Sequence, residues 1–83
     1  MEAHKPVKIV RNGSIRAAIW RNETANGVMF NVTLSRRYRD KEGTWKSTSS
    51  LSQNDLGSVV LATVTANLWI QSALAQQRDP QPI

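Results

Sequence analysis

The chain has no cysteine, one histidine, three prolines and four glycines among 83 residues. Each scarcity excludes something. Without cysteine there is no disulfide, no thiolate metal site and no thiol nucleophile. The lone imidazole, His4, has no second nitrogen ligand to join it, so no histidine metal site is expected. Proline is missing from residue 7 to residue 79, which leaves that stretch free to form regular structure. Carboxylates are few: Glu2, Glu23, Asp40, Glu42, Asp55 and Asp79 fall in tails, turns, a strand end or a helix start. No acid–base pair stands out, and no Gly-rich phosphate loop or dinucleotide fingerprint occurs. The expectation is a non-enzymatic protein with no cofactor, no metal and no small-molecule substrate.

The first six residues lack an apolar run after a basic region, unlike a secretory signal. The Asn-x-Ser/Thr sequons at Asn12, Asn22 and Asn31 are accordingly read as chance matches, and the expected location is cytoplasmic. A domain this short buries only roughly 60% of the surface of its unfolded chain. With disulfides and metals excluded, oligomerisation is the support that remains.

What is present is basic, and unevenly so. The net charge is +5, and ten of the eleven Lys and Arg residues lie at or before Lys46. Residues 1–50 hold ten basic and four acidic groups, whereas residues 51–83 hold one and two. A positively charged half is thus followed by a nearly neutral one, a pattern that attracts polyanions to the first half.

Asn12-Gly13 and Asn26-Gly27 are hairpin signals, because both residue types tolerate positive φ. A third turn is expected at Asp40–Gly43. Four strands follow, at about 7–11, 14–22, 28–38 and 44–51. Alternation places Ile15, Ala17 and Ile19 on one face of the second strand and Arg16, Ala18 and Trp20 on the other. In the third, Phe30, Val32 and Leu34 oppose Asn31, Thr33, Ser35 and Arg37. In the fourth, Trp45 is expected inward with Leu51, and Lys46, Thr48 and Ser50 outward.

Ser52 suits a helix N-cap, with Asp55 reaching back from the third position as a variant of the capping box. The helix is expected from about Gln53 to Gln77, ending before Asp79-Pro80. Its 22 uncharged residues approach the length of a membrane span. Ser58, Thr63, Thr65, Asn67, Gln71, Ser72, Gln76 and Gln77 interrupt the apolar character, so no membrane span is expected. Leu56, Val59, Val60, Val64 and Leu74 form one stripe; Leu61, Leu68 and Trp69 lie beside or outside it. A helix apolar over so much of its circumference needs burial on more than one side. One sheet covers one side, and a second copy of the chain covers the other in a twofold dimer. Leu61, Val64, Leu68 and Trp69 are the expected interface.

The outward sheet face then gathers Arg16, Trp20, Asn31, Thr33, Ser35, Arg37, Lys46, Thr48 and Ser50, with Arg36, Arg39 and Lys41 widening the positive edge. Cations neutralise phosphates, and aromatic rings stack bases with little regard to their identity. This combination suits single-stranded DNA or RNA. An ordinary solvated sheet face and a protein-interaction module are the competing readings.

The segment Leu34-Ser35-Arg36-Arg37-Tyr38-Arg39-Asp40-Lys41-Glu42-Gly43-Thr44-Trp45-Lys46, followed by Leu51 and the Ser52 cap, resembles the PC4-type transcriptional coactivator family of single-stranded DNA-binding proteins, to which the plant Whirly domains are related. The resemblance covers about residues 7–70. It implies helix-mediated dimers whose curved sheets cradle single strands without strong sequence preference, with contacts from Arg16, Trp20, Arg37 and Lys46. The basic, glycine-containing stretch expected before the helix is here Ser47-Thr48-Ser49-Ser50, and the helix lacks the charges common in that family. The expected architecture is α+β: a four-stranded antiparallel meander (7–77 with its helix, β-β-β-β-α) between a flexible tail at 1–6 and a disordered tail at 78–83. Arg16, Trp20, Asn31, Thr33, Arg37, Lys46 and Thr48 are its expected nucleic-acid contacts.

Overall fold

The computed structural model describes residues 4–77. Four strands, β1 (Lys8–Asn12), β2 (Ile15–Thr24), β3 (Gly27–Arg39) and β4 (Trp45–Thr48), form one antiparallel sheet in sequential order. A 3₁₀ turn, Gln53–Asp55, leads into helix α1, Leu56–Gln77. The expected β-β-β-β-α layout is therefore present. The expected disorder of 78–83 lies outside the described residues.

Both Asn-Gly hairpins form, but with the loops placed differently from expectation. Asn12 pairs with Ile15, so the two loop residues are Gly13 and Ser14, and Gly13 takes φ +59°. A glycine first in a two-residue loop is what the type II′ family uses. Thr24 pairs with Gly27, and its hydroxyl donates to the Gly27 carbonyl while accepting from the Asn26 N–H. The third turn is closed by Asp40. Its Oδ1 accepts from the backbone N–H groups of Glu42 (2.9 Å) and Thr44 (2.8 Å). Lys46 Nζ lies 3.3 Å from Oδ2. These bonds set a five-residue loop and pair Arg39 with Trp45.

At the helix start, Asp55 Oδ2 accepts from the Ser52 hydroxyl (2.7 Å) and the Ser52 N–H (3.3 Å). The same carboxylate receives the Ser14 hydroxyl and pairs with Arg36 Nε at 3.4 Å. Asp55 thus ties the helix start to the β1–β2 turn and to β3.

The core is thin. Val10, Ile15, Ala17 and Ile19 from the sheet meet Ala62 and Ala66 from α1, with Phe30, Leu34, Leu51, Val59, Trp69 and Ile70 packed around them. Small residues on both sides (Ala17, Ala62 and Ala66) let the helix backbone approach the sheet closely. Ile15 and Ile19 are the largest side chains buried completely. The helix lies mainly over β1 and β2, and it leaves a groove of about 280 Å³ against β3, walled by Val32, Thr63, Ala66, Asn67 and Ile70. The radius of gyration is 15.8 Å. A compact chain of this length would have about 12 Å. By length and composition the stretch Gln53–Gln76, which holds an 18-residue window of mean hydropathy 1.4, is able to cross a bilayer; Ala62 and Ala66 within it are buried against the sheet.

Candidate functional site

The sheet has two unlike faces. Pairing of Val10 with Ala17 and of Ala17 with Leu34 defines the face under the helix. The opposite, open face has no helix across it among the described residues, and its residues follow from the same register. Arg11 pairs with Arg16, and Arg16 with Ser35. Arg37 pairs with Ser47, and Arg39 with Trp45. Arg11, Arg16, Arg37, Arg39 and Trp45 therefore share one end of the open face.

Trp45 is 58% exposed, and the guanidinium carbons of Arg37 and Arg39 lie 5.1 and 5.9 Å from its ring centroid. The expected inward position of Trp45 is overturned. The five-residue loop gives Trp45 the parity of Arg39, and α1 does not extend over β4 to offer a core beneath it. Lys46 and Thr48 move the other way. They pair with Tyr38 and Arg36, which puts them on the helix side of the sheet. Lys46 is occupied by Asp40, and the Thr48 hydroxyl accepts from the Ser50 N–H. Neither joins the open-face cluster expected for them.

Arg16, Trp20, Asn31, Thr33 and Arg37 do lie on the open face. Trp20 sits toward the far end, eight β3 residues from the Trp45 row, or roughly 26 Å at strand spacing. Its Nε1 donates to Thr33 Oγ1 (2.9 Å), and the His4 ring meets it edge-on at 5.0 Å. Trp20 is half-buried by these neighbours, so it presents less ring than Trp45 does. Asn31 accepts from the Asn22 side chain.

The residue that sequence parity left out is Arg11. Counting back from the Gly13-Ser14 loop would have placed it opposite Arg16. Arg11, Arg16, Arg37 and Trp45, with Gly13, Ser14 and Ile15, line a pocket of about 330 Å³. Arg16 Nε is buried there without a hydrogen-bond partner among the described residues. The ion pairs among the described residues are Arg21–Glu23, Arg36–Asp55 and Lys46–Asp40. The four open-face arginines therefore have no neutralising carboxylate among the described residues.

On the other side of the molecule, Leu61 (56% exposed), Val64 (50%) and Leu68 (63%) stand in solvent with Leu56 and Val60. Trp69 does not belong with them. It turns inward and meets Phe30 edge-on at 5.8 Å, within the protein's own core.

Two carboxylates are held below the ordinary aspartate range. For Asp40 the Thr44 N–H is the foremost cause, opposed by partial desolvation and aided by Lys46. For Asp55 it is the Ser52 hydroxyl, opposed by desolvation and aided by the Ser52 N–H, Ser14 and Arg36. Both act as loop and cap clamps. No group of three or more His, Asp or Glu that could hold a metal occurs among the described residues. No protein-family model matches the chain, and no curated protein or solved structure matches it significantly.

Proposed function

We propose that the protein is a non-enzymatic, cytoplasmic single-stranded nucleic-acid-binding protein of low sequence specificity that works as a homodimer. The observation that carries this reading is the exposed Trp45 ring with the Arg37 and Arg39 guanidiniums within 6 Å of its centroid on an open sheet face. Unneutralised guanidiniums take phosphates and release their counterions. An exposed ring beside them stacks a base at about 1–3 kcal/mol. Both contacts address features that every nucleotide has, so neither reads base identity. Single strands are favoured over duplex because the helix, which would have to enter a groove, is uncharged from Leu56 to Gln77.

The dimer assigns a role to the second half of the chain. Leu56, Val60, Val64 and Leu68 recur every fourth residue along an uncharged helix surface, flanked by Leu61. Two such stripes packed about a twofold axis bury one another without bringing basic groups together. The thin core and long radius of gyration support an association of this kind.

Fluorescence anisotropy with a labelled oligonucleotide at two salt concentrations tests the ligand. Binding at low salt that weakens at high salt is expected; absence of binding at low salt sinks the reading. The exposed stripe also favours a second function, a protein-interaction module. Sedimentation at micromolar concentration separates the two. A dimer is expected, whereas a monomer would leave the stripe for a different protein.

A further inference from the structure

The pocket beside Trp45 is more specialised than strand binding requires. It lies where the open face ends, since the chain turns away at Asp40–Gly43 just beyond the Arg39–Trp45 pair. Its walls come from all four strands: Arg11 from β1, Arg16 from β2, Arg37 from β3 and Trp45 from β4. Three guanidiniums line it and, among the described residues, no carboxylate does. Arg16 Nε is buried in it with its N–H unused. A buried donor without a partner is costly, and an anion in the pocket would remove that cost.

We infer that this pocket takes a terminal phosphomonoester of a bound strand, with the end base against Trp45; this rests on the strand-binding reading above. An internal phosphodiester brings one negative charge to three arginines. A terminal phosphomonoester brings about −1.5 to −2 near neutral pH and three strong acceptor oxygens. Guanidinium forks match such oxygens two at a time, so several arginines around one phosphate are used more fully by a chain end than by a chain interior. A strand lying along the open face reaches its limit at this pocket, which is where an end would sit.

The test compares one short oligonucleotide in three forms: 5′-phosphorylated, 3′-phosphorylated and with hydroxyls at both ends. One phosphorylated form is expected to bind about tenfold more tightly than the hydroxyl form, the worth of one additional charge-assisted hydrogen bond. In Arg16→Gln the ratio of the two affinities should fall toward one. Arg11→Gln, an exposed edge position, provides the same comparison should the first variant fold poorly. Equal affinity for all three forms overturns the end-binding inference and leaves strand binding standing. Failure of every form to bind overturns the strand reading and the inference with it. Adenosine monophosphate and inorganic phosphate are added as competitors. If either displaces the strand as readily as the phosphorylated oligonucleotide does, the pocket belongs to a free phosphate ligand and the inference falls.

Discussion

The guanidinium carbon of Arg37 lies 5.1 Å from the centroid of the Trp45 ring, although the two residues are on different strands and the chain makes a full turn between them. They meet because Arg37 pairs with Ser47, which makes Trp45 its diagonal neighbour on the open face. Diagonal pairs are within reach of aromatic and long side chains. This contact joins the cationic and stacking parts of the proposed site.

Trp45→Ala is expected to weaken oligonucleotide binding by about 1–3 kcal/mol, the value of one stacked base. Because the ring is largely exposed, the unfolding midpoint should change little. Trp20→Ala should weaken binding less, since Thr33 and His4 already occupy part of that ring's surroundings. Anisotropy titrations of the two variants decide the order. A larger loss at Trp20 would mean the strand uses the other end of the face.

Salt dependence counts the arginines. With an oligonucleotide that has hydroxyls at both ends, and Arg11, Arg16, Arg37 and Arg39 each neutralising one internal phosphate, log K should fall against log salt with a slope of about −3, at roughly 0.7 per single-strand contact. Arg39→Gln should make the slope shallower by about 0.7. A slope near zero would exclude phosphate contacts by this face.

Acid should unfold the protein through Asp40 and Asp55. Both carboxyls lie below the ordinary value of 3.8 in the folded state. Their contribution to stability is therefore fully present above that value and is lost as pH falls through the lowered folded values. The thermal midpoint should hold level as pH is lowered toward 4, then decline. Asp55→Asn should be less stable at neutral pH and show a shallower decline. Thermal melts across the acid range would refute this if the variant and the natural protein declined in parallel.

Ile19→Ala should cost about 2–5 kcal/mol, because Ile19 is fully buried and the thin core has few other large side chains. Ala66→Leu should cost about 1–3 kcal/mol by forcing the helix away from the sheet. Urea denaturation measures both. A neutral Ala66→Leu would show that the helix–sheet spacing is adjustable.

Gly13→Ala should also destabilise. Its φ of +59° disfavours any side chain, and a Cβ there would come within 3.3 Å of Ser58 Oγ. The expected cost is about 1–2 kcal/mol, seen as a lower urea midpoint. An unchanged midpoint would mean the β1–β2 turn relaxes without loss.

The order of elements was legible along the chain because it depends on local chemistry. Asn-Gly pairs, alternation in β2 and the Ser52–Asp55 cap all act within a few residues. The face of β4 was not legible in that way. An apolar residue such as Trp45 reads as inward only if there is a core on that side. Whether one exists depends on where α1 lies, which no local pattern encodes. The same holds for Trp69, whose contact with Phe30 spans 39 positions of sequence.

Local chemistry thus accounts for a basic sheet followed by an uncharged helix, since charge placement and residue periodicity are properties of the chain alone. The gathering of Arg11, Arg16, Arg37 and Trp45 into one pocket is a property of the fold. It needs four strands in register and a five-residue loop that turns Trp45 to the open face. It also needs the helix to pack against the opposite face of the sheet, so that the ring stays in solvent beside two guanidiniums. Pairing across strands brings together residues that the sequence keeps far apart, and a shift of one residue in register would have sent Trp45 to the other face.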